Sequence, residues 1–500
     1  MIEIDRSGVE LSSAVDNQDV VLALRVVSPK MELDDLTSIM REVEGGKDGP
    51  APTSTQFSTR ETEVSETSHS DLLGCEHDMS LVKQEGCWSR VKPYVGSGAL
   101  VAVGYMDPGN WATDLQAGSA YNYQLLFVVL LSSIIAMFVQ TLSLRLGLVT
   151  KLDLAQACRL RYSKWTYRFL WVTAQLAVCA CDLAEVIGSA IAFNLLFGIP
   201  LIWGVVITAF DVLVLLVIGE NRMRIIEVLI VAMITTICVC FAVELAFARP
   251  DGIEMLKGCF VPSASLITNP GMLFVGVGIL GATVMPQNLY LHSSLVQVRD
   301  KSKSSSAIAK AVLYSTMDCN LSLVLAFFVN AAILVVSAAT FYRSGHNDVA
   351  DIGQASELLS RVLGSKLSSI LFGCALLASG QQSTITGTLA GQVVMEGFLN
   401  KKVKGYILRI GTRLVAILPA LIMLLATGDG GVNNLLIISQ IVLSLQLPFA
   451  VVPLVMFTGN KQLMGEYANS KVTQVIAWLV ALIIIALNGT LVVQSFQGSR

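Results

Sequence analysis

The sequence predicts an all-α integral membrane protein of about eleven transmembrane helices, and three observations predict it. First, the 500-residue chain is 54% hydrophobic and only 14% charged, with a mean hydropathy of +0.66, whereas soluble domains carry roughly 25% charged residues. A soluble globule cannot bury that much apolar surface. Second, from Val95 onward apolar segments long enough to cross ~30 Å of hydrocarbon follow one another. Third, the connections between them alternate in Lys and Arg content, as cytoplasmic and external loops do.

Residues 1–90 come first and read differently. Asp34, Asp35, Glu42, Glu44, Glu61, Glu63 and Glu66 stand among Ser, Thr, Gly and Pro, the composition of a solvated, disordered tail. It lacks an apolar core followed by a small-residue cleavage site, so no secretory signal peptide is expected. Its Cys75, His77 and Cys87 lack the paired spacing of a zinc site.

Residues 91–500 form the expected transmembrane domain. The spans fall near 95–121, 123–148, 167–193, 200–218, 225–248, 271–297, 313–340, 365–395, 405–426, 432–457 and 472–495. One set of connections carries Lys151, Arg159, Arg161, Lys164 and Arg168, then Arg222 and Arg224, then Arg299, Lys301, Lys303 and Lys310, then Lys401, Lys402, Lys404 and Arg409, then Lys461 and Lys471. The alternate set has only Arg249, Lys257, Arg343, Arg361 and Lys366. The N-terminus, entering past Lys83, Arg90 and Lys92, shares the basic side and is therefore cytoplasmic.

The net charge of -3 offers no basic excess to release counterions from phosphate, which argues against a nucleic-acid partner. Of ten cysteines, Cys158, Cys179, Cys181, Cys238, Cys240, Cys319 and Cys374 fall in or beside apolar stretches and read as packing residues. No nucleophile elbow, zinc-hydrolase helix or phosphate loop occurs, so an enzyme is the least supported class.

A helix in lipid cannot leave backbone groups unsatisfied, so a mid-span Pro-Gly interruption persists only where it lines a cavity or is buried in protein. The first span has one, Gly104-Tyr105-Met106-Asp107-Pro108-Gly109-Asn110. Unwinding there frees carbonyls, that of Gly104 one turn before the acid. With the Asp107 carboxylate and the Asn110 amide they are hard oxygen ligands for a cation. The sixth span repeats the device in Ala282-Thr283-Val284-Met285-Pro286-Gln287-Asn288. Spans one and six each open a set of five; five is odd, so the second set enters from the opposite face as an inverted repeat. Interrupted helices at corresponding places in inverted halves point to a transporter's central site. Proline kinks alone are tolerated in membrane helices, and Met285 alone could be packing. Two equivalent kinks beside a mid-membrane carboxylate, whose insertion costs roughly 2.5–3.5 kcal/mol, favour use over accident.

The stretch Asp107-Pro108-Gly109-Asn110-Trp111-Ala112-Thr113-Asp114-Leu115-Gln116-Ala117-Gly118 strongly resembles the NRAMP divalent-metal transporters. So do Asp182-Leu183-Ala184-Glu185, Met285-Pro286 followed by Tyr290-Leu291-His292-Ser293, the run from Gly380 to Gly397, and Ser439-Gln440 with Gln446-Leu447-Pro448-Phe449-Ala450. The resemblance covers about 92–497 and excludes the tail. It implies a LeuT-type fold of two inverted five-helix repeats plus an extra helix, and a proton-coupled importer of Mn2+ or Fe2+, with Cd2+, Co2+ and Zn2+ as further candidate cargo and no cofactor.

Carried over residue by residue, the resemblance implies metal ligands Asp107, Asn110 and Met285, with the carbonyls of Gly104 and Ala282, and Gln440 joining in some conformations. The implied proton path begins at Asp107 and passes Asp182 and Glu185 towards basic residues of the ninth helix, Arg409 and Arg413. One position departs: the family's histidine two places after the methionine is here Gln287, which cannot titrate. Either His292 and the Asp182, Glu185 route suffice, or coupling is weaker. Retention of Met285 argues against specialisation for Mg2+ or Al3+.

His292, one and a half turns beyond the second break, fits a water-filled path or a satisfied bundle histidine. Asp114 is a candidate for the external vestibule, while Arg145, Asp211, Glu227, Glu244 and Asp318 read as interfacial or paired groups. The Asn488-Gly489-Thr490 sequon lies inside the last span, where it is unusable. Rival readings are a carrier with weakened coupling or altered selectivity, an amino-acid carrier whose substrate carboxylate Asp107 would repel, and a transporter-like metal sensor, for which no soluble domain follows the eleventh helix. The expected setting is the plasma membrane or an endosomal or vacuolar membrane, with function as a monomer.

Overall fold

The computed structural model describes residues 96–208, 223–299, 305–346, 349, 351–362, 366–400, 405–428 and 432–497. Among them only helices and connecting turns occur. In chain order they are α1 (Ser97–Val103), α2 (Pro108–Tyr121), α3 (Leu126–Thr150), α4 (Leu154–Arg161), α5 (Lys164–Phe197), α6 (Met223–Ala248), α7 (Gly252–Phe260), α8 (Pro270–Thr283), α9 (Pro286–Arg299), α10 (Ser305–Thr340), α11 (Ile352–Val362), α12 (Lys366–Leu399), α13 (Gly405–Thr427), α14 (Val432–Thr458) and α15 (Lys471–Gln497). Ten of the eleven expected spans are helical here; the span expected at 200–218 begins in helix at 201–208 and continues outside the described residues. The tail of residues 1–90 also lies outside them.

Seven stretches among the described residues are by themselves long and apolar enough to cross a bilayer. Physical reasons separate that number from eleven. α2 and α3 run together as one stretch, Pro108–Thr150, and Arg413–Ala426 of α13 is short. α12 carries Ser379, Gln382, Ser383, Thr384 and Thr386, all buried, so its polarity is hidden inside the bundle rather than offered to lipid. Its broadest packing is against α5 and then α6. By contrast α15 exposes Val475, Leu479 and Leu482, the apolar surface that lipid covers.

Both expected interruptions are present. α1 gives way to a 3-10 turn over Gly104–Met106, Asp107 is extended, and α2 restarts with Pro108 in its first turn. α8 ends at Thr283, Val284 leaves the helical region, and α9 restarts at Pro286. Proline has no N–H, so Pro108 deprives the carbonyl of Gly104 of its helical donor, and Pro286 does the same to Ala282.

The short α1 is held by the second half of the chain. Asp318 of α10 accepts hydrogen bonds from Gly96 N at 3.1 Å and Gly98 N at 2.7 Å, satisfying amides at the start of α1. On the basic side of the bundle, α4 starts at Asp153, which forms a capping box with Gln156. It docks on α9, where the Ser293 hydroxyl accepts from Leu154 N at 3.0 Å.

Candidate metal centre at the two broken helices

The first break supplies an acid with a spare oxygen. Asp107 caps α2, its Oδ1 accepting from Asn110 N at 2.9 Å. Its Oδ2 is buried with no hydrogen-bond partner among the described residues, and so is the Nδ2 of Asn110. The unwound carbonyls beside them are tended by side chains. Met106 O accepts from the Ser379 hydroxyl and from Trp111 Nε1, the latter at 3.3 Å. Tyr105 O accepts from Asn330 Nδ2 at 2.8 Å. Trp111 is itself wedged edge-on between Phe241 of α6 and Phe372 of α12.

Close approach brings the other expected donors to this break. A Cβ on Gly109 would collide with the side-chain amide of Gln440, so Gln440 of α14 lies on the backbone between Asp107 and Asn110. A Cβ on Gly104 would collide with Asn288, which places the turn after the second break against the turn before the first. Gly281, next to Ala282, packs on the Gln440 carbonyl. Met285 is 1% exposed and shares a small buried cluster with Ala177 and Cys181 of α5 and Leu443 of α14. Gln287 donates from Nε2 to Met285 Sδ at 3.3 Å. Asp107, Asn110, Gly104, Ala282, Met285 and Gln440 are thus gathered where the two breaks meet.

Among the described residues no group of three or more His, Cys, Asp and Glu side chains stands ready to hold a metal. The gathered donors are one carboxylate, amides, carbonyls and a thioether. A single charge with neutral partners can hold a divalent cation and still release it, as passage requires.

Asp182 and Glu185 form a second group one helix away. Glu185 Oε1 accepts from the Ser383 hydroxyl at 2.9 Å, and its Oε2 meets Arg413 Nη1 at 3.4 Å, an ion pair buried on both sides. Arg413 also donates to Thr384 Oγ1 at 2.7 Å and to the Asp182 carbonyl at 3.5 Å. Both carboxylates lie against Gly387. Arg409 belongs to α13, and its side chain is outside the described residues.

His292 stands apart from that group. Its Nδ1 pairs with Gln140 Oε1 at 2.9 Å, and Gln140 Nε2 donates to the Tyr105 hydroxyl at 2.8 Å, beside the first break. Asp114, the candidate for the external vestibule, is 2% exposed. Arg145, expected to be interfacial or paired, donates to Tyr467 O at 2.6 Å.

Sequence reasoning gave no individual role to Asn288, Asn330, Gln140, Ser379, Ser383 and Thr384, which contact the breaks or the buried ion pair. The available signal was their polarity inside apolar spans, strongest in the run Ser379 to Thr386.

With this geometry in view, the chain can be compared with known proteins. The family profile described as "Nramp: Natural resistance-associated macrophage protein-like" matches residues 98–494. The chain is 52% identical over 411 residues to the divalent metal cation transporter MntH of Nostoc sp., covering 82% of this chain and 93% of that one. It is 50% identical over 417 residues to MntH of Listeria innocua, covering 83% and 93%. The crystal structure of the Eremococcus coleocola manganese transporter with an aromatic bis-isothiourea compound is similar at a TM-score of 0.76 and 40% identity, over 81% of this chain and 87% of that one. A likeness in fold alone extends to MhsT with L-phenylalanine, at a TM-score of 0.53 and 16% identity, over 78% of this chain and 98% of that one.

Proposed function

Because the chain belongs to the Nramp family and has its LeuT-type fold of inverted repeats, we propose that it is a divalent metal cation transporter that imports Mn2+ or Fe2+ towards the cytosol in symport with protons. The observation that carries this reading is the buried Asp107 Oδ2, which lacks a donor at a break whose prolines release the carbonyls of Gly104 and Ala282. A cation supplies what that oxygen lacks. Asn110, Met285 and, as helices move, Gln440 complete the shell.

Protons leave by a different route from the metal. Metal binding at Asp107 displaces its proton towards Asp182 and Glu185, and the Arg413 guanidinium stabilises Glu185 once that residue has passed the proton on. Arg409 extends the path along α13. Gln287 contributes no proton, so coupling rests on these acids and on His292. The protein works as a monomer with its N-terminus in the cytosol, in the plasma membrane or an endosomal or vacuolar membrane.

The test is uptake into proteoliposomes of Mn2+, Fe2+, Cd2+, Ca2+ and Mg2+ with internal pH followed in parallel. Saturable Mn2+ or Fe2+ entry with acidification is expected. Entry of none of these ions under an inward proton gradient would overturn the reading.

A further inference from the structure

We propose that Cys181 is a second sulfur donor of the central site, so that thiophilic divalent cations such as Cd2+ meet two sulfurs there, its thiol and the thioether of Met285. The inference deepens the reading above and rests on Met285 being a ligand.

Composition makes Cys181 look like packing; its placement gives it more to do. Residues 177, 181, 185 and 188 of α5 share one helical face. Both ends of that face are anchored at the site. Gly188 lies directly against Pro108 of the first break. Ala177 and Cys181 share their small buried cluster with Met285 and Leu443, separate from the main core.

Cys181 is 2% exposed and forms no disulfide. Its S–H donates to Glu185 Oε1 at 3.5 Å. That bond gives the proton a destination: as the sulfur takes a cation, the hydrogen passes to the Glu185 carboxylate and the thiolate is the ligand. The partner on offer is a cation held by Asp107, whose Oδ2 is buried and unpartnered.

A sulfur discriminates among ions by softness. Mn2+ gains little from it and Ca2+ nothing, whereas Cd2+ gains from each sulfur it meets. Two sulfurs therefore favour Cd2+ in binding while slowing its release, which makes Cd2+ a tight competitor of Mn2+ rather than a fast cargo.

The test is X-ray absorption at the cadmium edge, with Cd2+ and Mn2+ affinities by equilibrium dialysis, on the full-length protein in detergent loaded with one equivalent of Cd2+. Wild type, Cys181→Ser and Met285→Ala are compared. Serine keeps a hydroxyl donor for Glu185 and removes only the sulfur. Two sulfur neighbours are expected in wild type and one in each variant. In Cys181→Ser the Cd2+ affinity should fall roughly tenfold, the scale of losing a supporting metal contact, while Mn2+ affinity stays within about twofold. An unchanged sulfur shell and Cd2+ affinity in Cys181→Ser, with a sulfur lost in Met285→Ala, would overturn this inference alone. A full shell in Met285→Ala would instead overturn the reading of Met285 beneath it. If size-exclusion chromatography shows Cys181→Ser misfolded, Cys181→Ala carries the same comparison.

Discussion

The side-chain amide of Gln287 donates to the thioether of Met285 at 3.3 Å, so the sulfur proposed as a ligand carries a hydrogen bond from the residue two places on. A carboxamide cannot change protonation there. Gln287→His introduces a ring that titrates near neutral pH. Metal-driven acidification of proteoliposomes should become stronger and more pH-dependent in that variant. A pH profile identical to wild type would remove position 287 from the coupling mechanism.

Met285→Ala should keep transport and lose discrimination. Carboxylate, amide and carbonyl oxygens serve transition and alkaline-earth ions alike, while the thioether serves only the former. Truncation also opens room for a water that Ca2+ needs. Competition assays should show a modest loss for Mn2+ and new inhibition by millimolar Ca2+; indifference to Ca2+ would make Met285 a packing residue.

Asp107 caps α2, and the proposed function gives it a second, separable role as charged ligand. Asp107→Asn retains a capping oxygen, since Asn and Asp cap about equally well, and should fold with a melting temperature near wild type. Asp107→Ala loses about 1 kcal/mol of capping as well. Uptake of Mn2+ should fall to background in both, and near-normal uptake in either would move the site elsewhere.

Arg413→Met should destabilise the protein by about 3–5 kcal/mol, because it strands the Glu185 carboxylate in the bundle interior. Adding Glu185→Gln to it should recover most of that loss while transport stays uncoupled from pH. Thermal unfolding followed by size-exclusion chromatography measures the recovery. A double variant as unstable as the single would show that the pair is not the stabilising unit.

Stability should also depend on pH through Asp153, at the mouth of α4 and outside the membrane spans. Burial pushes its carboxyl up to about 6, outweighing the Gln156 and Ala155 amides that favour the charged form. The folded state therefore binds this proton more tightly than the unfolded chain. The resulting stability is full below about pH 4 and is lost as pH rises through about 6. Asp153→Asn never charges and still caps, so its melting temperature should be flatter across that window. At pH 7 it should gain on the order of 1–2 kcal/mol. An unchanged slope between pH 4 and 7 would exclude Asp153 as the source.

Much of the site was legible because proline and glycine act locally. Asp107-Pro108-Gly109-Asn110 and Met285-Pro286 announce their interruptions within a few residues, and the structure breaks there. The closure of the site was not legible. That Gln440 rests on Gly109, that Asn288 rests on Gly104, and that Gln140 links His292 to Tyr105 all depend on how distant helices slide past one another. No pattern within one span sets that register. Asp114 shows the same limit: its spacing from Asp107 along α2 is plain in the sequence, whereas its burial depends on the helices packed around α2.

Asp318 gives the bundle a history as well as a shape. Its carboxylate closes the amides of Gly96 and Gly98, and it lies 222 residues downstream of the first of them. A ribosome adding about 5–20 residues per second exposes α1 on the order of 10–45 s before its acceptor exists. Until then those two amides lack this acceptor, and an unsatisfied amide in hydrocarbon costs several kcal/mol. The amides of Gly96 and Gly98 thus gain their carboxylate acceptor only once α10 has been made.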